Sequence, residues 1–169
     1  MIIILDDLLT RVECNILIDI YKNNTKLADI WPRGCEEGCS HPINAMTLNN
    51  YFLFTILQRI EEKSQQYFGN DKIIEWGELK KNDHGYKHPM HYDEASKDTV
   101  LASITYLNND YSGGHTIFED TTTSKGEHIT SIAPVPGRTI IFDGMRYRHG
   151  ASINSDAPRY TIPIWYKKR

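Results

Sequence analysis

The chain contains 169 residues, of which 40% are hydrophobic and 24% are charged. This composition is typical of a globular protein with one sizeable core and excludes a disordered chain, so we expect a single domain over residues 1–169. The net charge of −3 gives no general attraction to nucleic acid. No apolar run approaches the roughly 20 residues that a membrane-spanning helix needs. We therefore expect neither nucleic acid nor a membrane as a partner.

The start of the chain and its cysteines predict the compartment. The apolar stretch Met1 to Leu5 is followed by Asp6 and Asp7, without the basic flank and small-residue cleavage site of a secretory signal. Three cysteines are an odd and small number for a disulfide framework. Both observations favour a reducing, cytoplasmic environment.

Residues 1–72 predict a helical support for the rest of the chain. Ile2–Leu5 is an apolar run typical of a short strand. Thr10 and Glu13 form a capping-box pattern that opens a helix with one apolar face. Asn50 is a candidate cap for a second helix, which a Gly-Asn stop ends.

The segment 23–47 separates the two predicted helices. It carries closely spaced Asn, Pro and Gly residues, which predict a long irregular loop. Loops of this length are often functional, so we expect a lid that closes over a substrate.

Residues 73–169 predict a β-rich core. The clearest strand patterns cover 73–80, 99–107, 128–133, 139–142 and 160–166. Two helices followed by many antiparallel strands indicate an α+β, mainly β fold, with the helices packed on a sandwich or barrel. A parallel α/β fold is disfavoured because no helical pattern separates the later strands.

His91 and Asp93 are the first candidate metal ligands. Residues two apart on an extended segment point to the same side, so this imidazole and carboxylate can bind one cation. Without a third ligand, His91 and Asp93 would be interpreted as ordinary surface residues. His149 follows the 139–142 strand and a turn, and antiparallel pairing would bring it beside His91. Two imidazoles and one carboxylate favour non-haem Fe(II), whereas zinc sites more often have Cys or three His ligands.

Arg159 and Thr161 share one face of the predicted last strand. A guanidinium binds a carboxylate through two parallel hydrogen bonds. Arg159 with Thr161 can therefore bind the far end of a dicarboxylic acid whose near end chelates the metal. A single arginine on a terminal strand is usually a surface residue. Its place shortly after His149, on a strand that we expect to neighbour that of His149, favours the binding interpretation.

Several motifs between Leu79 and Trp165 occur in a specific order. They are Gly85, His91-Tyr92-Asp93, Thr105-Tyr106-Leu107-Asn108, Gly113-Gly114-His115-Thr116-Ile117-Phe118, Pro134-Val135-Pro136-Gly137-Arg138, Phe142, His149-Gly150 and Arg159. In this order the chain resembles the Fe(II)- and 2-oxoglutarate-dependent oxygenases, specifically the prolyl 4-hydroxylase-like branch. The resemblance implies a double-stranded β-helix, the jelly-roll or cupin-like barrel. It also implies that His91, Asp93 and His149 bind Fe(II) as the catalytic centre and that Arg159 binds the distal carboxylate of 2-oxoglutarate.

Three positions depart from the pattern of that family. Asn82 stands where a tyrosine that contacts 2-oxoglutarate is common, so this contact is missing or replaced. Arg159 replaces the usual lysine of prolyl hydroxylases and keeps the positive charge. His115 replaces a common glutamate beside the Gly-Gly turn.

The activity implied by the resemblance is hydroxylation of a C–H bond coupled to oxidative decarboxylation of 2-oxoglutarate by O2, with release of succinate and CO2. Ascorbate is a further predicted cofactor. A prolyl peptide or another protein side chain is the predicted substrate. The same chemistry on a free amino acid or small metabolite is an alternative that the compact chain supports. A non-catalytic metal- or 2-oxoglutarate-binding sensor or interaction module is the alternative of another class.

A nucleic-acid demethylase is disfavoured. That branch of the superfamily typically has a second arginine six residues after the first, and this chain has Trp165 at that position.

Cys35, Cys39 and His41 have the spacing of a small metal site. A clear fourth ligand is missing, so we interpret the cysteines as reduced loop thiols.

His84 and His88 lie close to the predicted metal ligands in sequence. Because His88 and His91 are three residues apart, an extended strand would point them to opposite faces, and we expect His84 and His88 to line the entrance or face solvent. Candidate residues for the wall or rim of the site are Trp76, Tyr86, Tyr92, Arg146, Tyr147 and Arg148.

Overall fold

The structure, a computed structural model, describes residues 1–30, 39–93, 96–120, 129–151 and 157–169. The helices are α1 (Arg11–Asn23) and α2 (Tyr51–Phe68), and a 3-10 turn covers Thr25–Leu27. The strands are β1 (Ile2–Leu5), β2 (Ser40–Asn44), β3 (Lys72–Asn82), β4 (His88–His91), β5 (Thr99–Tyr106), β6 (Thr116–Asp120), β7 (Ile129–Ile132), β8 (Thr139–Phe142), β9 (Tyr147–Ala151) and β10 (Arg159–Lys168).

Both helices begin at the caps that the sequence predicts. The Thr10 side chain accepts a hydrogen bond from the Glu13 amide, and the Glu13 carboxylate accepts one from the Thr10 amide, which is the reciprocal capping box. The Asn50 side chain accepts a hydrogen bond from the amide of Leu53 at the start of α2. Neither described helix combines the length and apolar character needed to cross a bilayer.

Two antiparallel sheets form the β region. The larger has six strands in the order β1-β8-β5-β10-β3-β2, and the smaller has four in the order β4-β9-β6-β7. One buried cluster joins the helices to the larger sheet and includes Leu17, Leu57 and Ile164. A second cluster joins the two sheets and includes Phe118 and Phe142. The larger sheet is therefore covered on one face by helices and on the other by the smaller sheet.

Strand β10 shows how the larger sheet separates these two layers. Ile162, Ile164 and Tyr166 are fully buried in the helix-side cluster. The alternate residues, Arg159, Thr161, Pro163 and Trp165, line a cavity on the opposite face. The two-residue period of a strand thus directs one set of side chains to the core and the other to the cavity, and it places Arg159 and Thr161 on one face, as predicted from the sequence.

The segment 23–47 differs from its prediction as an irregular loop. Residues 31–38 lie outside the described part of the chain, but Ser40–Asn44 form the edge strand β2, paired with β3. Pro42 made this stretch look like a loop. An edge strand tolerates proline because one side of its backbone has no partner strand. The lid function of the segment stays a prediction.

Candidate metal centre

His91 and His149 are directly opposed residues of the antiparallel strands β4 and β9. Their ring centroids lie 4.4 Å apart. Asp93 follows two residues after His91, and its backbone N–H donates to the carbonyl oxygen of Gly144 at 3.1 Å. Ligand atoms of His91, Asp93 and His149 all lie within 4.8 Å of one another. The structure thus brings together the three side chains that the sequence singles out.

Backbone carbonyls orient both imidazole rings. The Nδ1 atom of His91 lies 2.9 Å from the carbonyl oxygen of Pro89. The Nδ1 atom of His149 lies 3.2 Å from the carbonyl oxygen of Tyr147. Because a carbonyl oxygen only accepts, each neutral ring carries its proton on Nδ1 and presents the lone pair of Nε2. Both Nε2 atoms face Asp93: Nε2 of His91 is 3.5 Å from Oδ1, to which the protonated ring donates, and Nε2 of His149 is 3.3 Å from Oδ2.

This donor set fits a divalent iron. Two imidazole nitrogens and one carboxylate on one side of a metal leave its other positions open. Hydrogen bonds from the remote ring nitrogens to carbonyls are the usual support for metal-bound histidines. In the described residues, His91, Asp93 and His149 are the one group of metal-ligating side chains that converges in this way.

Burial and neighbouring charges act in opposite directions on Asp93. Burial favours the protonated carboxyl and would raise its pKa. The hydrogen bond from His91 and the charge of His149 oppose this effect, as does a hydrogen bond from the Trp165 indole. The pKa of Asp93 is therefore lowered, and the carboxylate is ionised at neutral pH.

The two histidines differ in their electrostatics. Burial alone would lower the pKa of His91, but its hydrogen bonds with Asp93 and the Pro89 carbonyl outweigh that effect and raise it. Burial lowers the pKa of His149 even though Asp93 opposes the shift. His149 therefore favours the neutral form that a metal needs.

The two histidines also differ in exposure. His149 is 3% exposed, and it packs between Phe118 and Phe142 at ring-centroid distances of 5.8 and 4.7 Å. The side chain of His91 is 32% exposed. The centre is thus closed behind His149 and open beside His91.

The cavity beside this centre has a cationic end. Arg159 lies directly opposite Asn82, and Thr161 opposite Lys80, on the paired strands β10 and β3. All four line the cavity and are buried. The Arg159 guanidinium also lies over the ring of Tyr106, 5.4 Å from its centroid. This end of the cavity suits a carboxylate.

Two buried polar atoms at the cationic end lack protein partners. The Nε atom of Arg159 and the Oδ1 atom of Asn82 have no hydrogen-bond partner among the residues that the structure describes. An unpaired buried polar atom is costly, and native proteins rarely leave one without a ligand or water. The Nε donor fits a ligand oxygen inside the cavity.

Arg159 reaches the cavity from a different direction than the sequence suggested. The sequence placed its strand next to that of His149, but β10 belongs to the larger sheet and β9 to the smaller. The chain crosses between the sheets after β9, so the two strands face each other instead of pairing. Arg159 and the metal-ligating triad therefore lie on facing walls of one cavity.

His88 also lines this cavity, contrary to the prediction that it faces solvent or the entrance. His88 pairs with Ala151 and His91 with His149, so β4 advances by three residues where β9 advances by two. Strand β4 therefore contains a bulge. The extra residue turns His88 to the same face as His91. Pro89, which has no amide hydrogen to donate, was the sequence signal for this irregularity. Burial lowers the pKa of His88 well below its ordinary value, so its ring is neutral.

The remaining candidates from the sequence lie elsewhere. The described cavity lining contains none of the six wall candidates, Trp76, Tyr86, Tyr92, Arg146, Tyr147 and Arg148. His84 is exposed, as expected. Cys35 lies outside the described residues. Cys39 is a free thiol, and His41 pairs with Asp83 at 2.8 Å instead of joining a metal-ligand cluster in the described chain.

Comparisons with known proteins agree with this geometry. Residues 77–167, more than half of the chain, match the family model of the 2OG-Fe(II) oxygenase superfamily. Among curated proteins, none matches the chain significantly.

Three similar solved structures show the same architecture. A prolyl-4-hydroxylase from Pseudomonas putida has a TM-score of 0.76 at 13% identity and covers 99% of this chain and 92% of its own. A prolyl hydroxylase from Trichoplax adhaerens was solved in complex with a peptide fragment of the hypoxia inducible factor oxygen degradation domain. It has a TM-score of 0.75 at 15% identity, and the match covers 99% of this chain and 83% of that structure's chain. The non-haem α-ketoglutarate-dependent epimerase SnoN from nogalamycin biosynthesis has a TM-score of 0.78 at 15% identity, and the match covers 99% of this chain and 77% of the SnoN chain.

These likenesses confirm the mainly β, double-stranded β-helix fold. The matched family uses Fe(II) as cofactor and 2-oxoglutarate and O2 as cosubstrates, and the His91, Asp93 and His149 cluster accords with them. The chain belongs to the 2OG-Fe(II) oxygenase superfamily.

Proposed function

We propose that the protein hydroxylates a C–H bond of a prolyl peptide or another protein side chain, with release of succinate and CO2. One observation carries the proposal: atoms able to bind a metal lie on one wall of a cavity, and the Nε of Arg159, which has no partner in the described chain, lies on the facing wall. A 2-oxoglutarate molecule has the matching ends, an oxoacid that chelates a metal and a distal carboxylate that a guanidinium binds.

In this proposal, His91, Asp93 and His149 hold the iron. A bound Fe(II) supplies the open positions at which 2-oxoglutarate and O2 react. Asp93 contributes a negative charge, and the indole of Trp165 holds its carboxylate from the opposite sheet. The two Nδ1–H groups keep the Nε2 lone pairs directed at the metal position.

Arg159 and Thr161 bind the distal carboxylate of 2-oxoglutarate. Both are buried, so their hydrogen bonds to a carboxylate form with little competition from water. Lys80 adds a second cation beside Thr161, and its Nζ also lies 3.4 Å from a carboxylate oxygen of Glu78. Asn82 takes the place of the tyrosine that is common in the family.

The structural likenesses support two different classes of substrate. Those to the prolyl hydroxylases from Pseudomonas putida and Trichoplax adhaerens support a prolyl peptide. The equally close likeness to SnoN supports a second candidate function, the oxidation of a small molecule. The exposed side of His91 gives either substrate access to the centre.

Succinate formation tests the proposed chemistry. Protein supplied with Fe(II), ascorbate, O2 and a proline-rich peptide should convert 2-oxoglutarate to succinate. His91→Ala and Asp93→Ala should abolish that turnover, whereas His84→Ala, at an exposed position outside the cavity lining, should retain it. Full turnover in both ligand variants would reject the metal assignment.

Mass spectrometry of the substrates tests the substrate class. A proline-rich peptide that gains the mass of one oxygen atom supports the proposed function. A gain in free amino acids alone supports the small-molecule candidate. Tight 2-oxoglutarate binding without turnover across both substrate sets would favour the non-catalytic sensor or interaction module.

A further inference from the structure

The two ends of the cavity along strand β10 differ in chemistry. Arg159 and Trp165 both line the cavity, and the part of β10 that separates them extends over about 20 Å. The Trp165 indole donates a hydrogen bond to the carboxylate of Asp93, so the Trp165 end lies beside the candidate metal centre. In the proposed function, 2-oxoglutarate extends from the metal towards Arg159. The Trp165 end is therefore left for the substrate.

Trp76 continues this end of the cavity to the surface. It lies on β3 directly opposite Trp165 on β10. Directly opposed residues of antiparallel strands point to the same face of a sheet, with their Cβ atoms about 5 Å apart. Trp76 is therefore on the cavity face of the larger sheet, just beyond the cavity lining, and it is 39% exposed. The two indoles form a continuous path from the Asp93 carboxylate to solvent.

A buried carboxylate holds the ring of Trp76. The indole Nε1–H donates to Oε1 of Glu78 at 3.2 Å. Glu78 is only 3% exposed, and its Oε2 lies 3.4 Å from Nζ of Lys80. A single exposed aromatic side chain is common and needs no function. Trp76 differs because it adjoins the cavity and its ring is already held in place, so a ligand that packs on it orders few further rotamers.

The exposed part of Trp76 favours an apolar ring as its ligand. Because the indole N–H is bonded to Glu78, the ring offers its apolar surface to solvent. Aromatic side chains of this kind bind proline-rich peptides, whose polyproline II conformation is already formed before binding. Each residue of that conformation rises about 3.1 Å, so the second residue from a target lies about 6 Å away. This distance is close to the spacing of the two opposed tryptophans.

We propose that Trp76 is a specificity-determining residue that packs against a proline ring two residues away from the hydroxylated residue. The inference rests on the proposed function, because it requires a peptide substrate at the same centre. It narrows the substrate class to peptides that have a further proline beside the target and bind in the polyproline II conformation.

The binding of two peptides to the protein loaded with Zn(II) and 2-oxoglutarate tests the contact apart from turnover. Zn(II) has no redox chemistry, so it fills the metal site without supporting the reaction. One peptide has a central proline with further prolines two residues away on each side. The other peptide has alanines at those two flanking positions. Titration calorimetry of the wild type should show about 10-fold tighter binding of the first peptide.

Two variants assign this preference to the indole. Trp76→Leu keeps an apolar side chain and removes the ring, so its preference for the first peptide should fall to about 3-fold or less. Its Kd for 2-oxoglutarate should change less than about 2-fold, because Trp76 lies outside the cavity lining. Tyr51→Leu is the matched control, since Tyr51 is an 82% exposed aromatic residue at the start of α2. It should keep the preference of the wild type.

A second measurement needs no variant. NMR of the Zn(II)-loaded wild type with the first peptide should show nuclear Overhauser effects between a flanking proline ring and the indole protons of Trp76. Their absence in the bound complex would overturn the inference even if Trp76→Leu does not fold.

The binding data separate this inference from the proposed function. If the wild type hydroxylates the first peptide and Trp76→Leu keeps the full preference, the inference alone is wrong. If Trp76→Leu loses 2-oxoglutarate affinity as strongly as peptide affinity, Trp76 supports the cavity as a whole, and the specificity role is likewise wrong. If the wild type binds neither peptide, the peptide substrate of the proposed function fails and takes the inference with it.

Discussion

Gly144 lies so close to Asp93 that a methyl group does not fit between them. A Cβ on Gly144 would lie 2.7 Å from Cβ and 3.0 Å from Oδ2 of Asp93. The Gly144 carbonyl also accepts the hydrogen bond of the Asp93 amide. The turn after β8 therefore sets the position of the carboxylate beyond the end of β4.

Gly144→Ala should displace Asp93 and weaken metal binding. We expect the affinity for Co(II) to fall by about 10-fold or more, as it does when the support of a metal ligand is lost. Titration with Co(II) measures the effect. Gly77→Ala is the matched control, because a Cβ there meets other atoms at 3.7 Å or more. Wild-type affinity in Gly144→Ala would contradict the positioning role of the turn.

Metal removal should lower the thermal stability of the wild type. A ligand that binds only the folded state at about 100 times its Kd stabilises that state by about 2.7 kcal/mol. We expect Co(II) to raise the melting temperature of the wild type and EDTA to reverse the increase. His149→Ala removes a proposed ligand, and its melting temperature should not respond to Co(II). An equal response in His149→Ala would remove His149 from the ligand set.

The sequence singled out His91, Asp93 and His149, and the structure brings them together, because their geometry follows from local rules. His91 and Asp93 are two residues apart, and the strand carrying His149 follows a recognisable turn. The helix caps were predictable for the same reason, since Thr10 and Asn50 act on amides three residues away. The strands predicted after residue 72 agree with β3, β5, β7, β8 and β10 to within two residues.

The errors arose where register or sheet assignment decides the outcome. His88 reaches the cavity only because β4 gains a bulge against β9, and the face of a strand residue changes with one inserted residue. The strand of Arg159 lies in the other sheet from that of His149, which the spacing of the two residues along the chain does not reveal. The edge strand β2 was missed because Pro42 obscures the strand pattern.

Arg159→Lys should weaken 2-oxoglutarate binding although it keeps the positive charge. The buried Nε of Arg159 has no partner in the described chain, and lysine has no donor at that position. We expect the Kd for 2-oxoglutarate to rise about 10-fold in the Co(II)-loaded protein, with Co(II) affinity unchanged. Arg148→Lys, at a surface ion pair with Glu119, is the control. An unchanged Kd in Arg159→Lys would show that charge alone holds the carboxylate.

Asp83 joins the start of β2 to the end of β3. Its Oδ2 accepts a hydrogen bond from the Cys39 amide at 3.3 Å and pairs with Nε2 of His41 at 2.8 Å. Its Oδ1 pairs with Nζ of Lys81 at 2.8 Å. Burial would raise the pKa of Asp83, but Lys81 and His41 outweigh burial and lower it.

The lowered pKa of Asp83 predicts how stability depends on pH. Because the folded-state pKa lies below the unfolded value of about 3.9, the carboxylate stabilises the fold above that pH, and the contribution is lost as pH falls through the folded-state pKa. Asp83→Asn should therefore lower the free energy of unfolding by about 1 kcal/mol at neutral pH. The difference from the wild type should stay constant between about pH 7 and 5 and shrink below about pH 4. Urea unfolding over this range measures it, with the exposed Asp19→Asn on α1 as control. A difference that grows as the pH falls would contradict the role of Asp83 as an ionised link between β2 and β3.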